Sequence, residues 1–183
     1  MPSSTTTTTK TLQTLTLRGA KIALAASEAR ATAMNLDMNI AIVDASTHLL
    51  AFSRMENAKI TSIGIAMDKA FTAAGHRVGT HTYKDAVFLS FLGLFEGFLY
   101  MCLFVASLGP GGPAYGLGNT NGGRFTTFGG GLPILNEKGE VVGGIGASTG
   151  TPAQDQEVVA AGKEAIERVL REESGGGKLK AKL

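Results

Sequence analysis

The stretch with the most chemical potential is Asn119-Thr120-Asn121-Gly122-Gly123-Arg124, followed by Gly129-Gly130-Gly131. Successive glycines can turn several backbone N–H groups toward one point and form an anion-binding concavity. Arg124 beside them can add a two-pronged contact to a carboxylate. A structural glycine turn with a solvated Arg124 has the same residue pattern, so spacing alone leaves both readings open.

Other chemistry-bearing residues are sparse. Gly146-Ala147-Ser148-Thr149-Gly150 matches a hydrolase nucleophile elbow, but that mechanism needs a later histidine and none follows Ser148. Gly116 and Gly118 begin a dinucleotide fingerprint that Asn121 interrupts, with no parallel βαβ pattern around it. His76 and His81 lack the i, i+4 spacing of a helical metal site and read as surface or capping residues; His48 reads as an exposed turn residue. Met55 and Met67 carry thioethers that can ligate iron, but methionine at core spacing usually just packs. Lys69 lies on or beside an apolar helix face, where a lysine commonly snorkels to water. One cysteine, Cys102, excludes a disulfide framework and a cysteine-built zinc site. The 17 basic and 15 acidic residues balance to a net charge of +2, which gives no electrostatic case for a nucleic-acid partner.

The elements that must position these groups follow from periodicity. In 183 residues, 44% apolar, there is material for one domain. Thr16 reads as the N-cap of a helix to about Asn35. Met38 to Asp44 and His48 to Met55 read as an antiparallel hairpin. A helix with one apolar face is expected over about 61–75, ended by Gly75 and Gly79. Leu132–Asn136 and Val141–Ser148 read as strands, and Gly143, Gly144 and Gly146 signal close approach by a helix or a ligand. Thr151, Pro152 and Gln154 open a last helix to about Glu172 with a capping box, and Asp155 suits the positive end of its dipole. Hairpins without βαβ repeats point to an α+β domain, an antiparallel sheet covered by helices.

Residues 1–13 read as a disordered tail, 14–172 as the single domain and 173–183 as a flexible tail. Val87–Leu108 is almost wholly apolar, with Glu96 as its only charge, and has the length of a bilayer span. A span there would separate two halves that each lack a core, so a buried, interface or inserted segment is expected instead. Ala181-Lys182-Leu183 is similar to the terminal tripeptide read by the peroxisomal import receptor, which makes a peroxisomal address an expectation and a cytoplasmic one its alternative.

Several of these runs together resemble one family. They are Leu15-Thr16, Ala41-Ile42-Val43-Asp44, His48 to Met55, Ala66 to Ala73, Pro110-Gly111-Gly112-Pro113, Gly123-Arg124, Gly129 to Ile134, and Val142 to Gly146 leading to Asp155. From about Thr14 to Leu170 the chain resembles the GlcG/HbpS-like haem-binding domains, found also at the C-terminus of PduO-type proteins. The resemblance implies a profilin-like antiparallel sheet flanked by helices, a homo-oligomer, and haem as cofactor, with haem degradation attributed to the group. It makes Arg124, Gly122, Gly123, Gly129, Gly130, Gly131, Lys69, His76 and His81 the candidate cofactor-binding set, with His76 or His81 meeting the iron. Val87–Leu108 looks inserted relative to the family pattern. Two alternatives stand beside haem binding. One is a haem-independent enzyme of small-molecule metabolism using Lys69, Asp44, Arg124 and Tyr115; the other is an oligomeric scaffold with the apolar segment as its interface.

Overall fold

The computed structural model describes residues 8–83 and 116–180. Val87–Leu108, Pro110–Pro113, Tyr115 and Ala181–Leu183 lie outside them. Among the described residues, no helix is long and apolar enough to cross a membrane.

Thr16 opens α1 (Leu17–Ala33) as its N-cap, its side-chain oxygen accepting from the Gly19 N–H at 3.2 Å. β1 (Asn39–Asp44) and β2 (Leu49–Arg54) form the expected antiparallel hairpin. Asp44 fastens its turn by accepting from the N–H groups of Ser46 and His48 at 2.8 and 2.9 Å, and His48 is exposed. Asp44 thus has a structural task in the hairpin.

α2 (Ser62–His76) runs through Gly75 and closes at Arg77, which takes the left-handed conformation at φ 61°. The expectation that glycines end this helix is therefore corrected. Gly79 leaves room for a neighbour instead: a Cβ there would lie 2.5 Å from the His81 ring, which would have to move. β3 (Gly131–Leu135) and β4 (Val141–Ser148) follow a short 3₁₀ segment at Leu117–Gly123. The capping box of α3 (Pro152–Lys180) forms as read, with the Thr151 N–H on Gln154 Oε1 at 2.9 Å and the Gln154 N–H on Thr151 Oγ1 at 3.3 Å. α3 continues past Glu172 through Gly175–Gly177; glycine disfavours a helix by only about 1 kcal/mol per residue and does not forbid one.

The sheet order is β2-β1-β4-β3, every pair antiparallel. One face carries the main core, where Ala20, Ala23 and Ala31 of α1 and Val158, Val159 and Ile166 of α3 meet Ile40, Ile42, Ile134 and Ile145. The other face carries α2, whose Ala66, Ala70 and Ala74 meet Ala41 and Val43. β1 and β4 are covered on both sides, which is why they read as continuous apolar runs without alternation.

The β4 glycines explain how close α2 comes. A Cβ on Gly144 would stand 2.5 Å from the Ala70 carbonyl oxygen, and one on Gly146 would stand 2.2 Å from that of Ala66. The approach anticipated at these positions is made by a helix backbone. Gly146→Ala is expected to destabilise by about 3 kcal/mol through overpacking. Gly64→Ala, with open space at its Cβ, is expected to stabilise by about 0.5 kcal/mol through helix propensity. Equilibrium urea denaturation of the two variants checks this; similar small effects would contradict the tight α2–β4 contact.

Candidate functional site

Two charged side chains are buried where α2, β4 and α3 meet. Lys69 of α2 is 0% exposed and Asp155, in the first turn of α3, is 2% exposed. Lys69 Nζ donates to Asp155 Oδ2 at 2.7 Å and to the Ala147 carbonyl at 3.0 Å, and the Phe128 ring covers it with its centroid at 4.7 Å. The other Asp155 oxygen accepts from the Gly150 N–H at 3.0 Å. Snorkelling is therefore corrected for Lys69: its stem runs inward, to a partner 86 residues away. Loss of water pushes the Lys69 ammonium below its ordinary value of 10.5 and the Asp155 carboxyl above 3.8; mutual attraction opposes both shifts without overcoming them.

Gly130 closes over this pair. At φ 109°, a Cβ on it would stand 2.6 Å from Asp155 Cβ and 2.8 Å from Lys69 Nζ, so no other residue fits there. A Cβ on Gly131 would meet the Lys69 carbonyl oxygen at 2.6 Å, and one on Gly129 the Pro152 carbonyl oxygen at 3.1 Å. Two of the amides expected to cradle an anion are engaged internally. Gly130 N–H donates to Gln156 Oε1 and Gly131 N–H to Thr80 Oγ1, both at 3.0 Å. Gly122 and Gly123 are exposed at the end of the 3₁₀ segment with φ 69° and 81°, and a Cβ on Gly122 would meet nothing within 4 Å. The two glycine groups thus do different work, one packed over the ion pair and one turning the chain at the surface.

Arg124 joins the surface of α2. Its Nε donates to Asp68 Oδ1 at 3.0 Å, its Cζ lies 4.1 Å from the Phe71 ring centroid, and its side chain is 40% exposed. Thr72 locks the backbone beneath: its hydroxyl donates to the Arg124 carbonyl at 3.2 Å and accepts from the Thr126 N–H at 3.0 Å. Asp68, Phe71 and Thr72 escaped the motif reading, although their i, i+3, i+4 spacing on a helix was the available signal.

His76 ends α2, exposed but held from behind. Its Nδ1 lies 3.1 Å from Tyr83 Oη, and its ring meets Phe125 edge-on at 4.5 Å between centroids. Tyr83 and Phe125 are buried and meet each other at 5.2 Å. Burial pushes the Tyr83 phenol above 10.0, so it is a neutral hydrogen-bonding group. With its proton on Nδ1, His76 donates to Tyr83 and leaves the Nε2 lone pair for a ligand. His81 stands apart, its side chain against Gly79 and Gly129, with a buried Nδ1 that has no partner among the described residues. A cavity of about 590 Å³ lies elsewhere, between the start of α1 and the second half of α3, and none of the candidate residues lines it.

Comparison with known proteins adds chemistry to this geometry. A family model described as haem degrading protein HbpS-like matches residues 15–164. An uncharacterized 15.0 kDa protein from the dhaT-dhaS intergenic region of Citrobacter freundii is 37% identical over 145 residues, 79% of this chain and 87% of that protein. Among solved structures, Klebsiella pneumoniae ORFY is similar with a TM-score of 0.71 and 31% identity, over 87% of this chain and 95% of that one. A PduOC:heme complex is similar with a TM-score of 0.65 and 28% identity, over 83% and 94%.

Removing one member of the ion pair strands the other. Lys69→Met or Asp155→Leu is expected to cost about 3–5 kcal/mol, and the double replacement much less than the sum. Denaturant melts of the four proteins check this, and additive losses would contradict direct pairing. The pH dependence has a definite sign. Between the depressed native value of Lys69 and 10.5, the unfolded chain binds more protons than the native one. Wild-type stability relative to Lys69→Met should therefore rise with pH across that window.

Proposed function

Because the chain belongs to the HbpS-like family, we propose that it binds haem, or a related flat molecule bearing carboxylates, over the surface formed by Arg124, Phe71 and His76. The observation that carries this reading is His76: a solvent-facing imidazole whose Nδ1 meets Tyr83 and whose ring packs edge-on with Phe125. A hydrogen-bonded outer partner of this kind orients an imidazole for coordination through its other nitrogen.

The donor set fits a haem. Iron needs a coordinating nitrogen, which His76 Nε2 offers; the Nδ1 of His81, without a partner among the described residues, is buried and stands apart from this surface. Propionates need a cation, and Arg124 meets Asp68 through Nε, so that among the described residues its terminal amino groups are left for a carboxylate. The Lys69–Asp155 pair and the glycines above it serve the site as a rigid base, not as ligand contacts. When bound, haem supplies iron-centred chemistry; this chain's residues bind and orient it. Support also comes from the similarity to the PduOC:heme complex, a related domain crystallised with the group.

Titrating haem into the purified protein is expected to give a saturable Soret shift. Arg124→Ala should weaken affinity roughly 10-fold, the loss of one charged hydrogen-bonding contact. His76→Ala should move the band position as well as weaken binding, while His81→Ala should leave the band position in place. An absent Soret shift in folded protein contradicts the reading, and an Arg124-dependent thermal shift with non-haem carboxylates would replace it with a haem-independent ligand.

A further inference from the structure

Arg124 reaches the surface, yet it is held like a buried residue. An arginine side chain at 40% exposure ordinarily keeps much of its rotamer freedom, and fixing it is entropically costly. One turn of α2 fixes this one at three points. The Thr72 hydroxyl donates to the Arg124 carbonyl at 3.2 Å and accepts from the Thr126 N–H at 3.0 Å, so the backbone is held on both sides. Asp68 Oδ1 accepts from Arg124 Nε at 3.0 Å. The guanidinium carbon stands over the Phe71 ring, 4.1 Å from its centroid. Thr72 is buried and Asp68 and Phe71 are half-buried, so the grip is anchored in the helix. Their i, i+3, i+4 spacing puts all three on one face of it.

The grip decides how Arg124 can receive an anion. A guanidinium offers a carboxylate two edges, one made by Nε with a terminal nitrogen and one made by both terminal nitrogens. Asp68 takes Nε and with it the first edge. A ligand carboxylate is left the second, which it meets end-on with two parallel hydrogen bonds. A lysine in the same place would have no second edge to offer.

We propose that Asp68 and Phe71 are positioning residues that make this site selective for a free carboxylate, by holding the end-on edge of Arg124 ready for it. This rests on the reading that the ligand lies over Arg124, Phe71 and His76, and it narrows the ligand class to planar acids as against their esters or amides. An ester keeps the ring and nearly the size, but it carries no charge and cannot bond both terminal nitrogens equally well. Charge and position give opposite expectations for Asp68. As a mere negative charge it repels a carboxylate, and its loss would strengthen the preference for the acid. As a positioning group its loss frees the guanidinium to turn, and the preference falls.

Metal-free protoporphyrin IX and its dimethyl ester separate the two. They differ only at the carboxylates and hold no iron, so coordination by His76 plays no part. Their binding to the full chain is read by porphyrin fluorescence. The wild-type protein should bind the acid about 10-fold more tightly than the ester, the effect of one charged hydrogen-bonding contact. In Asp68→Ala the preference should fall to about 2-fold, because a side chain held in place is released. In Asp68→Asn, whose amide oxygen still accepts from Nε, it should hold or rise. Arg124→Lys should lose it although the charge is kept. The proposal is overturned if the folded wild-type protein binds the two porphyrins equally or binds neither. It is also overturned if Asp68→Ala or Arg124→Lys keeps the full preference, or if Asp68→Asn loses it as Asp68→Ala does. Should Asp68→Ala fail to fold, Phe71→Leu decides: its preference should fall, and an unchanged one overturns the proposal. Haem binding itself stands or falls separately, on the Soret titration of the wild-type chain.

Discussion

An ammonium group without access to water must be held by fixed partners, and the Lys69 ammonium has Asp155, the Ala147 carbonyl and the Phe128 face as its own. Each of those lies on a different part of the chain, so satisfying one charge ties α2, β4, the segment before β3 and α3 together. The requirement spreads outward. Asp155 is oriented by the Gly150 N–H, and Gly150 follows Thr149, a residue in the left-handed region at φ 146°. Thr149 is held there by Asn39, whose Nδ2 donates to its hydroxyl at 3.2 Å, and by Lys59, whose Nζ donates to its carbonyl at 3.1 Å. Hydrogen bonds from β1 and from the residues before α2 thus support a strained turn whose role is to aim an amide at a buried carboxylate.

α2 connects this interior to the surface where a ligand is proposed. One side of the helix lies against Gly144 and Gly146 with only alanines between, which gives it little room to shift. Lys69 pins it at mid-length. The neighbouring positions Asp68, Phe71 and Thr72 then hold Arg124 and the backbone on either side of it, and His76 at the helix end rests on Phe125 and Tyr83. A shift of α2 would move the arginine and the imidazole together. Coordination and carboxylate binding both depend on distances of a few tenths of an ångström, so at the proposed site the rigidity of the buried pair would have a functional meaning even where burial costs more than pairing returns.

Local features of this fold were legible in the sequence because their causes are local. Thr16 and the Thr151–Gln154 box are read by residue type within one helical turn. The hairpin follows from two β-branched and aromatic runs with a short turn between them. The glycines of β4 announced a close neighbour, and only its identity had to come from the structure. What stayed hidden depends on residues far apart in the chain. Asp155 fits a helix dipole equally well whether or not a lysine 86 residues earlier reaches it. Gly129–Gly131 has the composition of an anion cradle, and only the side chains of Gln156 and Thr80, meeting the Gly130 and Gly131 amides, show that those two donors are already engaged. Arg124 was recognised as a carboxylate partner, but the nearest carboxylate, Asp68, belongs to the same chain.

Native-state hydrogen exchange at the Gly131 and Gly150 amides tests most directly whether the buried pair holds these segments in place. In the wild-type chain both amides should exchange only through global unfolding, with the same denaturant dependence as the core amides of β4. In Asp155→Asn they should exchange through a cheaper local opening while β4 keeps its protection. Exchange of both amides at exposed-loop rates in the wild-type protein would contradict the account.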